Sequence, residues 1–288
     1  MKPIFNQATL IAVSLGISKA IAYGDVAIPS VTITNITTRN GELLIGWTGG
    51  RATYQLQSRP NLSSAWINVG ASVSNNAATI PIPASQAFYR IVSDYTARYQ
   101  VVFNATWSQA THPTNWPGGA HWSGLVGGTH NAKVHFWRDG ETASEGIRLM
   151  AEQGRKPVLL SEVAAAGTNA HIQLTGGSIG TSPGSVAFVF PQLMNRDFPL
   201  VTLVSMIAPS PDWFVGVESL SMIENDQWVT NKVVTLYGKD AGTDSGVNYS
   251  SPDQVTSPRG VVTQFTGFPA LQDGVIVPFG TFTFTRLD

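Results

Sequence analysis

The sequence predicts a mostly β protein built as two modules. The first is a small sandwich of immunoglobulin or fibronectin type III kind, and the second a larger β-sandwich with one or two short helices. Three observations carry this expectation. Apolar residues recur with a period of two over short runs, the signature of half-buried strands. The 28 glycines and 17 prolines punctuate the 288 residues too often for long helices. Aromatic residues are frequent while charged ones reach only 12%, so the chain is rich in side chains that fill a sandwich core.

The chain opens on a segment read as an address. Lys2 provides a positive n-region, residues 8–17 are uncharged and mostly apolar, and Ala20-Ile21-Ala22 is a small-x-small cleavage site. Residues 1–22 are therefore expected to be a secretory signal peptide, and the mature protein to be secreted or extracytoplasmic. The apolar run is shorter than the roughly 20 residues a transmembrane helix needs, and no later segment reads as a span. Cysteine is absent, which removes disulfides, thiolate metal sites and thiol nucleophiles. Four Asn-x-Ser/Thr sequons, at Asn35, Asn61, Asn104 and Asn248, matter only in a glycosylating host. With 17 basic and 18 acidic side chains, the chain has no field that would attract nucleic acid.

The small sandwich is expected over residues 28–94. Its strand candidates are residues 31–37, 42–47, 53–57, 66–69, 78–82 and 88–92, separated by turns such as Asn40-Gly41, Gly49-Gly50 and Asn75-Asn76. It carries no catalytic group and reads as a spacer or adhesion module. A polar link leads to the second module, residues 97–288, whose strands are expected at 99–103, 133–137, 171–175, 186–190, 200–207, 213–222, 232–237, 261–265 and 280–285. The run 200–207 is nearly all apolar, as for a strand covered on both faces. Thr142-Ala143-Ser144-Glu145 matches a capping box and predicts a helix that ends at Gly154; a second short helix is expected over 158–166.

Several residue groups invite a chemical reading. Asp240-Ala241-Gly242-Thr243-Asp244-Ser245-Gly246 sets two carboxylates four residues apart among glycines, which is a loop. Taken alone it suits either an Asx-bonded turn or part of an oxygen-only cation site. It is not an EF-hand, since Ser251 stands where that loop needs its bidentate glutamate. Asp212 follows two prolines at the end of an apolar strand and either caps its turn or joins those aspartates. His112, His121, His130 and His135 lie close in sequence, yet lack the helical spacing of a zinc site, and read as loop and surface groups. Two Gly-x-Ser-x-Gly matches centre on Ser178 and Ser182. Pro183 removes the N–H an oxyanion hole requires, and the residues after Ser178 cannot form the helix of a nucleophile elbow.

Further motifs in register carry a resemblance. Residues 99–107, Thr111-His112-Pro113, Ala120-His121-Trp122-Ser123, Gly128-Thr129-His130-Asn131 and Phe136-Trp137 resemble the spondin N-terminal domain family, the F-spondin and mindin type. So do Ala143-Ser144-Glu145-Gly146, residues 210–217 and the Asp240–Gly246 loop. The resemblance covers about residues 97–268 and implies a C2-related β-sandwich that holds one calcium ion by loops at one end. The family's calcium-binding aspartates fall on Asp212, Asp240 and Asp244. The chain departs from animal members in having no cysteine, no reelin-like or thrombospondin repeats, and a small sandwich in front, as expected of a secreted bacterial type.

The resulting expectation is a secreted, non-catalytic, calcium-binding adhesion or recognition protein, in which Ca²⁺ orders strand-end loops for an unknown extracellular protein or glycan. The alternatives are a carbohydrate-binding module and a calcium-dependent enzyme acting on polysaccharide. The second would need paired carboxylates, for which Glu218, Glu224 and Asp226 are candidates without a pairing signal.

Overall fold

The computed structural model describes residues 11–12, 31–225 and 227–288. Within them the chain divides into two compact units, with the boundary between Thr96 and Ala97. The expected signal peptide lies outside the described residues except at Ile11–Ala12, whose backbone pairs in parallel with Phe88 and Tyr89.

The first unit packs two sheets. One holds β1 (Thr32–Arg39), β2 (Glu42–Thr48) and β4 (Ala77–Pro81); the other holds β3 (Tyr54–Arg59) and β5 (Phe88–Ser93), flanked by Ile67–Asn68. Alternation along β2 and β3 turns Leu43, Ile45, Trp47, Tyr54 and Leu56 into a shared core with Ile80 and Tyr89. The β1–β2 hairpin turns on Asn40 and Gly41, both at positive φ, as a two-residue type I′ connection requires.

The second unit has three layers. A four-stranded sheet runs in the order β9 (Gly184–Val189), β6 (Tyr99–Ala105), β15 (Gly280–Arg286), β12 (Asn231–Leu236). Facing it is a sheet in the order β8 (Ala170–Thr175), β7 (Val126–His130), β10 (Leu200–Ala208), β11 (Trp213–Ser221), β13 (Lys239–Asp240), β14 (Thr263–Gln264), with His121–Trp122 also pairing with β10. Helices α1 (Glu145–Gln153) and α2 (Pro157–Ala165) cover the far face of that second sheet. The layering explains why β10 is apolar on both sides. Val201, Leu203 and Ile207 enter the core between the sheets, while Val204, Met206 and Ala208 pack under the helices. Its two polar residues are satisfied. Ser205 Oγ donates to Ser123 O at 2.9 Å, and Thr202 Oγ1 lies 2.9 Å from His130 Nε2. Helix α2 comes close enough to β7 that a Cβ on Gly128 would stand 2.6 Å from a Val163 methyl.

The structure departs from the sequence expectations at several places, and the central strand β7 is one for which the sequence predicts no strand. No strand forms at 133–137, because Phe136 and Trp137 are both buried and a strand would turn one of them outward. Phe136 packs on His130 and Trp137 on Phe214. The strand expected at 261–265 shrinks to β14. The helix cap is Ser144, not Thr142: Ser144 Oγ accepts from Ile147 N at 3.2 Å. The reciprocal acceptor belongs to α2 instead of α1, since Glu162 Oε1 accepts from Gly146 N at 2.7 Å. Finally, two of the four histidines expected at the surface, His112 and His130, are completely buried. No helix among the described residues is long and apolar enough to cross a membrane.

Candidate metal centre

The three aspartates reach one end of the second unit by different routes. β10 ends at Ala208, and the chain turns through Ser210-Pro211-Asp212, where Ser210 Oγ accepts from Trp213 N at 3.1 Å. β11 then starts at Trp213, whose register partner on β13 is Asp240. Asp240 thus ends a short strand instead of lying in a free loop, and the sheet itself sets it beside Asp212. Ala241 N donates to Asp212 O at 3.2 Å and extends that pairing by one residue.

Beyond β13 the backbone folds back on itself. Gly260 N donates to Gly242 O at 2.8 Å, Thr256 N to Thr243 O at 2.9 Å, and Asp244 bridges Val255. The loop closes over the Pro211 turn so tightly that a Cβ on Gly246 would lie 2.7 Å from the Pro211 ring. Tyr249 anchors the far side: it is buried, packs edge-on against Trp213, and its hydroxyl accepts from Trp107 Nε1 at 3.2 Å.

Asp212 is fully buried. Its Oδ2 accepts from Thr243 N at 2.7 Å, Thr243 Oγ1 at 3.2 Å and Asp244 N at 3.1 Å. Its Oδ1 is buried and has no hydrogen-bond partner. Burial first, and the Asp240 charge second, push the Asp212 carboxyl up to about 7, against the pull of those donors. Asp240 is also raised, chiefly by burial, with Asp244 adding repulsion, although its Oδ1 accepts from Gly242 N at 2.7 Å. Asp244 Oδ1 accepts from Gly246 N at 2.7 Å and its Oδ2 from Gln254 N at 2.9 Å. The Asp240–Gly242 and Asp244–Gly246 bonds are Asx-type, so the turn reading and the cation reading describe the same side chains. Among the described residues, no three His, Cys, Asp or Glu side chains form a ready-made metal cluster.

A hard cation fits this donor set in one specific respect. Asp212 Oδ1 is a buried carboxylate oxygen without a donor, next to a second acid, and a bound cation would relieve both costs. Remaining ligands would have to be backbone carbonyls and water. Thr243 and Tyr249 were not singled out from sequence. The only sequence signal for Tyr249 is an aromatic residue within a polar, glycine-containing loop.

The other candidate groups have structural roles. Ser182 is buried, accepts from Trp122 Nε1 at 3.0 Å and donates to Trp107 O at 2.6 Å. Glu145, the last residue of the expected capping box, pairs with Arg148 and Arg259. Glu218 faces Arg138 and Glu224 faces Lys232, each beside its own cation; Asp226 lies outside the described residues.

Residues 97–273 match the Spondin_N family. The chain is 35% identical to spondin-2 of Rattus norvegicus over 208 residues, which is 66% of this chain and 62% of that protein. It is 36% identical to human spondin-2 over 59% of this chain and 53% of the relative. Identity to spondin-1 of Rattus norvegicus is 32% over 64% of this chain, but only 24% of that longer protein. The chain thus spans less than two thirds of the length of these relatives. From the match over most of its second unit, the chain belongs to the spondin N-terminal domain family.

Proposed function

We propose that this is a secreted, non-catalytic adhesion or recognition protein that binds Ca²⁺ through Asp212, Asp240 and Asp244. The unpartnered, buried Oδ1 of Asp212, beside Asp240, carries this reading. A resident cation would supply positive charge where two acids are held by the β11–β13 register, and would fix the loop from Asp240 to Gly260. That loop presents Val247 and Val255, both 77% exposed, as apolar contacts for a partner. The role is one of ordering a recognition surface, since the neighbouring polar groups are engaged in structural hydrogen bonds.

Thermal unfolding with and without calcium tests the proposal. A cation that binds only the folded state stabilises by about 2.7 kcal/mol at a hundredfold excess over Kd, so chelation is expected to lower Tm by several degrees. Asp212→Asn separates charge from packing. Its amide oxygen keeps an acceptor for Thr243 and Asp244 while the repulsion with Asp240 disappears. The variant is expected to be at least as stable as the parent in chelator and to show no calcium shift. A parent protein whose Tm is the same in calcium and in chelator refutes the reading.

A further inference from the structure

The first unit carries a second constellation, independent of the calcium reading. Leu56 and Tyr89 face its core, so the alternate residues of β3 and β5 form the outward face of that sheet. Gln57 pairs with Arg90 across the strands, Arg59 lies two residues further on the same face, and Asn68 flanks Gln57 on the other side. The guanidinium carbon of Arg59 is 4.3 Å from the Trp66 ring centroid and that of Arg90 is 4.7 Å away. Two cations therefore share one indole. The arrangement is favourable towards the ring but repulsive between the arginines, and the Arg90 pKa is lowered by burial and by Arg59. No carboxylate pairs with either arginine among the described residues; Glu42 belongs to the other sheet, and the buried Asp94 lies beyond the end of β5, where its N–H donates to Thr53 O at 2.7 Å.

The hydrogen bonds pre-set both guanidinium groups. Arg90 Nε donates to Gln57 Oε1 at 2.8 Å, and Gln57 Nε2 donates to Asn68 Oδ1 at 2.8 Å. This fixes the plane of Arg90, which is exposed at the surface. Arg59 Nη1 donates to Leu62 O at 2.8 Å, while its Nε is buried without an acceptor. Uncompensated, oriented guanidinium forks are suited to the planar or tetrahedral oxygens of a carboxylate or sulfate. The adjoining amides of Gln57 and Asn68 offer both donors and acceptors, which matches sugar hydroxyls.

We propose that the Arg59–Trp66–Arg90 face binds the sulfate groups of an acidic polysaccharide. Calorimetric titration of the full chain with dextran sulfate, neutral dextran and polyglutamate, at matched ionic strength and with chelator present, tests it. Dextran sulfate is expected to bind and neutral dextran not to. Arg59→Gln and Arg90→Gln are each expected to weaken binding about tenfold, the usual effect of losing a charge-assisted hydrogen bond. Arg90→Lys should recover only part of the loss, because an ammonium lacks the two-donor fork. Far-UV circular dichroism verifies the fold of each variant. The proposal is overturned if dextran sulfate does not bind, if the double variant binds it unchanged, if polyglutamate binds as tightly, or if Arg39→Gln on the opposite sheet has the same effect.

Discussion

His112 is completely buried, with Nδ1 2.9 Å from Thr111 Oγ1 and its ring 4.3 Å from that of Phe279. Burial pushes its pKa down to about 4, against 6.5 for the unperturbed side chain. Between those values the unfolded chain binds a proton that the folded one does not, so stability must fall as pH is lowered through this window. The full difference is on the order of 3 kcal/mol. We expect His112→Gln to be less stable at pH 7 yet to lose less stability on acidification from 6.5 to 4, read as a smaller slope in denaturant-derived stability against pH. An unchanged slope would mean that His112 already protonates in the folded state. His130 is shifted in the same direction by burial, but both its ring nitrogens are engaged, with Asn131 O at 3.0 Å and Thr202 Oγ1 at 2.9 Å. Neither histidine was legible as buried from sequence, since a histidine beside glycine, proline and threonine has the composition of a surface loop. Only the packing of Phe279 and Phe136 on the rings decides the matter.

At the scale of elements, the start of α1 depends on a side chain from α2. Ser144 Oγ donates to Glu162 Oε2 at 2.7 Å while accepting from Ile147 N, and Glu162 Oε1 takes the Gly146 N–H. The carboxylate also sits where the helix dipole favours negative charge. Ser144→Ala is expected to cost about 1 kcal/mol, the typical value for a lost N-cap. Glu162→Ala is expected to cost more, because it leaves the Gly146 N–H unpaired and parts the two helices. Since Ser144 and Glu162 bond each other, the double variant should lose less than the sum of the two, measured by a urea double-mutant cycle. Strict additivity would place the two caps in separate units. The Thr142–Glu145 spacing makes a local capping box the natural sequence expectation; the carboxylate of Glu162, 18 residues beyond Ser144, becomes available only when the helices pack.

At the scale of the molecule, the second unit has cores on both faces of its larger sheet, built wholly from residues after Thr96. Aromatic side chains fill the inter-sheet core: Trp107, Trp122, Phe103, Phe279, Phe282 and Phe284 are all fully buried. Such a unit is large enough to bury an independent core. We therefore expect residues 97–288 alone to unfold cooperatively and to retain the calcium response, as followed by near-UV circular dichroism and thermal melts. Loss of that response in a folded fragment would place part of the proposed cation site outside the second unit.

The β character, the position of most long strands, the two-sided burial of Leu200–Ala208 and the family likeness were legible in the chain, because each depends on local periodicity or on motifs contiguous in sequence. The three aspartates were legible as candidates through those motifs. Their relation was not: the register of β11 with β13 puts Trp213 opposite Asp240 and so sets Asp212 at its side, and pairing register is a property of two strands together. Burial of Asp212, the orphaned Oδ1, and the anchoring of its loop by Tyr249 likewise depend on packing between segments distant along the chain. Sequence periodicity sets which face of a strand is buried; only the tertiary fold sets what that face meets.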